Sequence, residues 1–185
     1  MVLRILLLVL SCACIPKSGG GSTDANNASV TMATVDYSPD DSAPDVLPST
    51  VQSALEAELK ARGLSSSSPL GQEYRDTLGQ FQVVQRQLTR LAEDSEDTDL
   101  IVLLHTRVEF FSLMVGRYRW TVQATLAVAD PDDPSTHLER TVEIPVFLPF
   151  HHQQEAEALE AATPALAREL GYLLDSWLRT PAQSN

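Results

Sequence analysis

Few side chains in this chain have the type and spacing that chemistry needs. His151 and His152 stand side by side, with Glu155 one helical turn beyond. Imidazole and carboxylate are zinc ligands, but zinc takes three or four donors converging on one point. Adjacent histidines at a helix entrance point in different directions, so the pair reads as a solvated helix start. His105 and His137 each stand alone and read as surface residues. Asp130, Asp132 and Asp133 suggest calcium. An EF-hand loop counted from Asp130 needs a ligand at its fifth position, glycine at its sixth and glutamate at its twelfth. Those positions hold Pro134, Ser135 and Thr141, and a proline-framed turn is the better account. The acidic stretch 93–99 reads as a solvated loop, with weak cation binding as the alternative. There is no nucleophile elbow. The glycine run 19–21 opens no helix, as a phosphate loop must. No metal or cofactor is expected, and an enzyme would have to work through unmarked residues.

The two cysteines, Cys12 and Cys14, both follow the first apolar run. Arg4 supplies a positive start, residues 5–10 are continuously apolar, and small residues follow. That is the layout of an export signal. The apolar part is far short of the roughly 20 residues that span a bilayer. Val9-Leu10-Ser11-Cys12, an apolar-apolar-small triplet before cysteine, resembles the lipobox of bacterial lipoproteins. The resemblance implies that the Cys12 thiol takes a diacylglycerol, that residues 1–11 are removed, and that the new amino terminus is acylated. Ala13 follows the proposed anchor. Aspartate there would imply retention in the inner membrane, so the family pattern points to the periplasmic side of the outer membrane. Cys14 is then incidental, a second acyl site or an alternative cut. A cut before Cys14 would use Ser11-Cys12-Ala13, a less apolar triplet.

The chain has 185 residues and a formal net charge of −12. Loss of Arg4 with the leader makes it one unit more negative. Such a surface is repelled by phosphate backbones and by anionic head groups. Nucleic-acid binding is therefore not expected, and membrane contact must come through the lipid. With both cysteines at the leader, the folded part contains neither disulfide nor catalytic thiol.

Residues 12–28 form a lipidated tether rich in Gly, Ser, Asn and Asp, without apolar periodicity. One domain follows over residues 29–180, and 181–185 is a polar tail. Residues 30–37 alternate loosely and predict a strand. Residues 49–62 predict a helix with Ser49 as N-cap, Gln52 completing a capping box, and Val51, Ala54, Leu55 and Leu59 on one stripe. Gly63 suits a left-handed C-cap. Residues 65–68 read as linker. Pro69 opens a second helix carrying Leu70, Tyr74, Leu78, Phe81, Val84, Leu88 and Leu91. Residues 100–111 then change period, forming a strand that begins apolar on both faces and emerges to solvent on one. Residues 117–129 and 138–148 alternate cleanly, so three strands make an antiparallel meander. Folding the first hairpin about Met114 would set Glu109 opposite Arg119. Residues 153–178 are helical. Pro164 either kinks that helix or starts a second one capped by Thr163. The expected fold is α+β, in the order β-α-α-β-β-β-α, with a mainly antiparallel sheet and helices on one face.

Three stretches carry a second resemblance. These are Lys60-Ala61-Arg62-Gly63 closing a helix, Asp99-Leu100-Ile101-Val102-Leu103 entering a strand, and Gly116-Arg117-Tyr118-Arg119-Trp120-Thr121-Val122 before a last helix ending in Trp177-Leu178. The layout is similar to envelope lipoproteins of the curli-secretion type. It is also similar to the N-terminal domain of the Tol-system propeller protein, to penicillin-binding-protein activators and to the lipopolysaccharide-assembly lipoprotein. It departs from them where residues 65–68 replace the usual strand between the first two helices. No catalytic motif belongs to these families, so the resemblance implies a docking module.

Residues 110–116, Phe-Phe-Ser-Leu-Met-Val-Gly, are almost wholly apolar where a tight turn is normally polar. Either this tip folds under a helix, or it is an exposed sticky end that docks on a partner or dips into lipid. Phe111, Leu113, Met114 and Val115 would make the contact, with Arg117 and Arg119 as polar anchors. Phe147 and its neighbours extend the patch if the strand ends cluster. The expected role is a lipid-anchored accessory protein of an envelope complex, bound to the membrane by its lipid and to a protein partner. The alternatives are a carrier of a small apolar ligand in a cavity behind Trp120 and Trp177, and a hydrolase.

Overall fold

The computed structural model describes residues 28–37, 47–66, 83–95, 97–114, 117–149 and 155–180. Along the chain these form β1 (Ala28–Tyr37), α1 (Ser49–Ala61), β2 (Leu64–Ser66), α2 (Val84–Asp94), β3 (Leu100–Met114), β4 (Arg117–Asp130), β5 (Asp133–Leu148) and α3 (Glu155–Arg179). The strands make one sheet in the order β2-β1-β3-β4-β5. The fold is α+β, but the sheet is mixed. β1 runs parallel to both β2 and β3, while β3, β4 and β5 form the antiparallel meander.

The expected element order is corrected by β2. Leu-Ser-Ser has little strand propensity, and residues 65–68 read as linker for that reason. What makes a strand of it is position. Gly63 adopts φ 73°, the left-handed conformation that ends a helix and reverses the chain. The next residues then fall beside β1, whose outer backbone groups need partners. Leu64 pairs with Ala28, and Ser66 with Val30. The strand thought to be missing between the first two helices is therefore present.

The helices do not share one face. α1 and α3 pack together on the first face, over Val30, Met32, Val102, Leu104, Val122, Leu126 and Val128. α2 lies on the opposite face, where Leu88 and Leu91 meet Ala33, Ile101, Leu103, Ala127 and Ala129. The cause is β3, whose first five residues are each no more than 4% exposed. A strand apolar on both sides has to be covered on both sides. The alanines at 33, 127 and 129 leave room for the leucines of α2 to settle.

Local details follow the same logic. Ser49 is not the N-cap of α1. Pro48 holds that place, and its carbonyl accepts from the N–H groups of Val51 and Gln52 at 2.9 and 3.1 Å. The capping box does not form, and Gln52 Nε2 instead donates to Glu56 Oε1 at 2.9 Å. α3 is one helix with Pro164 inside it, and Thr163 Oγ1 donates back to the Leu159 carbonyl at 3.1 Å instead of capping a new helix. The second predicted helix is described only in its last part, as α2. Its earlier portion, residues 69–82, lies outside the described residues.

Candidate docking surface

The sheet end farthest from Ala28 is formed by the last residues of β3, the first of β4 and the last of β5. The β3–β4 ladder closes with Met114 opposite Arg117. Phe110 stands opposite Trp120 and Ser112 opposite Arg119, so Phe111 is the extra residue of a β-bulge. The bulge overturns the expected register. Glu109 faces Thr121, not Arg119, and its carboxylate pairs with Arg107 on its own strand at 2.5 Å.

With the bulge in place, two neighbouring phenylalanines serve opposite faces. Phe111 is 62% exposed, and the Arg119 guanidinium lies 4.4 Å from its ring centroid. That distance is within cation–π range. Arg119 in turn stands opposite Phe147 on β5, which is 48% exposed. Phe111, Arg119 and Phe147 thus form a row across three strands, with the Arg119 cation over the Phe111 ring. Arg119 Nε is buried and has no hydrogen-bond partner among the described residues.

On the other face, Phe110 is 52% exposed and meets Trp120 edge-on, with centroids 5.3 Å apart and planes at 67°. Tyr118 stands 6.1 Å from the same phenylalanine ring. Val146 and Leu148, opposite Trp120 and Tyr118, are buried and join this end to the core. Trp120 Nε1 is buried without an acceptor among the described residues. Trp120 on β4 and Trp177 on α3, which a ligand-carrying role would set around a cavity, are both partly buried and pack against the main core.

The sequence expectations map onto this end unevenly. Phe111 and Arg119 are brought together, and Phe147 joins them. Leu113, Met114 and Arg117 lie in the strands, but their side chains, and Val115 altogether, lie outside the described residues, as do Cys12, Cys14, His151 and His152. The Phe110–Trp120 contact was not foreseen. Its signal was the Phe110-Phe111 doublet, which breaks an alternating pattern at the position of the bulge.

The other polar clusters serve the fold. Asp99 accepts from the Ser29 N–H at 2.8 Å, and its own N–H donates to the Ser29 carbonyl at 3.0 Å, tying the acidic loop to β1. Asp130 Oδ1 accepts from the Asp132 N–H at 2.8 Å. The Asp133 carboxylate accepts from Ser135 and Thr136, and these bonds hold its pKa below the usual range. No group of three or more His, Cys, Asp or Glu side chains placed to hold a metal occurs among the described residues.

No protein-family model matches this sequence, and no curated protein matches it. Among solved structures the chain is similar to the lipoprotein GNA1162 of Neisseria meningitidis, with 15% identity and a TM-score of 0.44 over 78% of this chain and 99% of that one. It is similar to the rare lipoprotein B of Shewanella oneidensis, with 11% identity and a TM-score of 0.39 over 82% of this chain and 95% of that one. It is also similar to the hypothetical protein CT253 of Chlamydia trachomatis, with 8% identity and a TM-score of 0.46 over 86% and 99% respectively.

Proposed function

We propose that this chain is a non-enzymatic, lipid-anchored docking protein of the bacterial envelope. Cys12 holds it on the periplasmic side of the outer membrane, and the hairpin end of its sheet meets a protein partner. The observation that carries the reading is the row Phe111–Arg119–Phe147, backed by exposed Phe110 on the other face. Three large apolar side chains exposed at one end of a sheet are costly in water unless something covers them. Exposed aromatic rings with an arginine beside them are also the composition enriched at the centres of protein interfaces. The address comes from the leader, whose triplet before Cys12 fits an acylation signal.

Two experiments test the reading. Cys12→Ser should move the protein from the membrane to the soluble fraction, and mass spectrometry of the mature wild-type amino terminus should find it acylated. An unmodified first residue would remove the anchor. A photo-crosslinking amino acid at Phe111 in native membranes should capture a discrete partner, whereas one at exposed Thr141 on β5 should not. Equal capture from both positions would remove the docking end.

A further inference from the structure

The longest strand of the sheet is also an edge of it. β5 has 16 residues and stands last in the strand order, and among the described residues only β4 pairs with it. From His137 to Leu148 that ladder runs without a shift, so no bulge turns the edge aside. Glu139, Arg140, Thr141, Glu143 and Pro145 are exposed along it. Pro145 has no N–H, so it fits the ladder with its nitrogen facing away from β4. Backbone direction repeats at every second residue, so the N–H and C=O groups of His137, Glu139, Thr141 and Glu143 face outward with it. A long, straight row of such groups is a template on which a further strand can add. The same edge on another copy of this chain is the strand always at hand.

The side chains on this edge act against that pairing in one register after another. Two copies related by a two-fold axis would join β5 to β5 antiparallel. The outward groups recur at every second residue, so the axis must pass through a residue position. Centred on Leu138, the pairing sets Glu143 opposite Asp133. Centred on Glu139 or on Glu143, it sets that glutamate opposite its own copy. Centred on Arg140, it brings two guanidinium groups together, each tied to Glu169 of α3 by an ion pair of 2.7 Å. Centred on Thr141, it sets Glu139 opposite Glu143 twice. Centred on Val142, it sets Pro145, which has no N–H to give, opposite Glu139 twice. Like charges directly opposite destabilise a strand pair, and each copy already carries a net charge of −12. No arginine or lysine neutralises Glu139 or Glu143 among the described residues; Glu139 lies 3.7 Å from His137, and Glu143 accepts from Gln123 at 3.3 Å. We infer that Glu139, Glu143 and Pro145 form a guard that keeps copies of this chain from joining edge to edge. The guard goes beyond the docking reading and does not rest on it, since it concerns encounters between copies and not the hairpin end.

The test is sedimentation equilibrium of the full-length chain in density-matched detergent micelles. Wild type and its Thr141→Pro variant, which loses one outward N–H, should sediment alike. Glu139→Gln combined with Glu143→Gln should associate about tenfold more tightly than wild type. Adding Thr141→Pro to that pair should return it to the wild-type state. Glu139→Lys combined with Glu143→Lys should not associate by itself, because lysine then meets lysine. Mixed in equal amounts with wild type, it should form a heterodimer, because each lysine then meets a glutamate. Thermal melts by circular dichroism show whether each variant is folded, and the lysine mixture tests the guard even where the proline variant is not. A wild type that Thr141→Pro dissociates would overturn the inference. So would a glutamine pair that associates no better than wild type, an association that Thr141→Pro leaves untouched, or a lysine mixture without heterodimer. None of these results depends on the Cys12 lipid or on what Phe111 meets, so failure here and failure of the docking reading are separable.

Discussion

Arg62 binds Asp175 across the interface of α1 and α3, with Nε 2.7 Å from Oδ1. Its Nη1 also lies 2.7 Å from Glu58 Oε2, one turn back on its own helix. The hydrogen bond with Asp175 is the main cause that raises the Arg62 pKa, and the same bond holds the Asp175 carboxyl below the usual carboxylate range. Gly171 makes the arrangement possible. A Cβ at that position would stand 2.7 Å from Arg62 Nη2 and 2.9 Å from Glu58 Oε2.

Gly171→Ala therefore sets two effects against each other. Alanine favours the helix by about 1 kcal/mol over glycine, but its methyl group pushes the Arg62 side chain off its partners. The net change in the wild-type background should be within about 1 kcal/mol of zero. In an Arg62→Ala background the Glu58 carboxylate, freed from its ion pair, can swing away from the new methyl group, so the same substitution should stabilise by up to about 1 kcal/mol. Urea unfolding of the four chains measures the coupling. Additive values would show that the guanidinium does not depend on the missing side chain.

Asp175 is the depressed group of the pair, so its contribution is present above its unfolded pKa of about 3.9 and is lost as pH falls through its lower folded value. Asp175→Asn should lower the Tm at pH 7 and should cost progressively less below about pH 4, where the wild-type carboxylate is being protonated. The pair is partly exposed, so the difference at pH 7 should also shrink in high salt. Calorimetry across that range checks both expectations.

Leu103 tests the second layer of the fold. It is 0% exposed, beneath α2. Leu103→Ala should cost about 2–5 kcal/mol in urea unfolding, like a leucine in any closed core. A cost below about 1 kcal/mol would mean that this face is open to water.

His105 sits half-buried on the same face. Burial, followed by the nearby charge of Arg107, pushes its pKa down. A histidine with a depressed folded pKa contributes stability above its unfolded value of about 6.5, and that stability is lost as pH falls below it. The urea midpoint should therefore drop between pH 7.5 and 5.5, and His105→Gln should flatten the drop. An identical slope in both chains would place the responsible group elsewhere.

Much of the scaffold was legible in residue patterns, because local rules govern it. The clean alternation of 117–129 and 138–148 gave the meander, and Gly63 gave the left-handed end of α1. The patterns failed where pairing is non-local. Leu64-Ser65-Ser66 has no strand signal of its own and pairs because the Gly63 turn lays it beside β1. Ile101 and Leu103 read as buried on the second face, which already required a cover there, yet the helices were assigned to one side. At the candidate surface, Phe111 and Arg119 were singled out by composition. Their contact depends on a one-residue bulge, and without it Arg119 was set opposite Glu109.

The parallel joining of β1 to β3 also shapes how this molecule comes into being. The β1–β3 ladder begins with Val30 opposite Leu100, seventy residues later in the chain, and only the short β2 reaches β1 sooner. The first strand to be synthesised is thus among the last to be seated, because closing so long a loop precedes any reward from the ladder. Until β3 arrives, Val30 and Met32 lack the strand that covers their inner edge, with β2 reaching only as far as Val30. A chain of this design suits a route on which its leading segment is kept extended and guarded until the meander has formed.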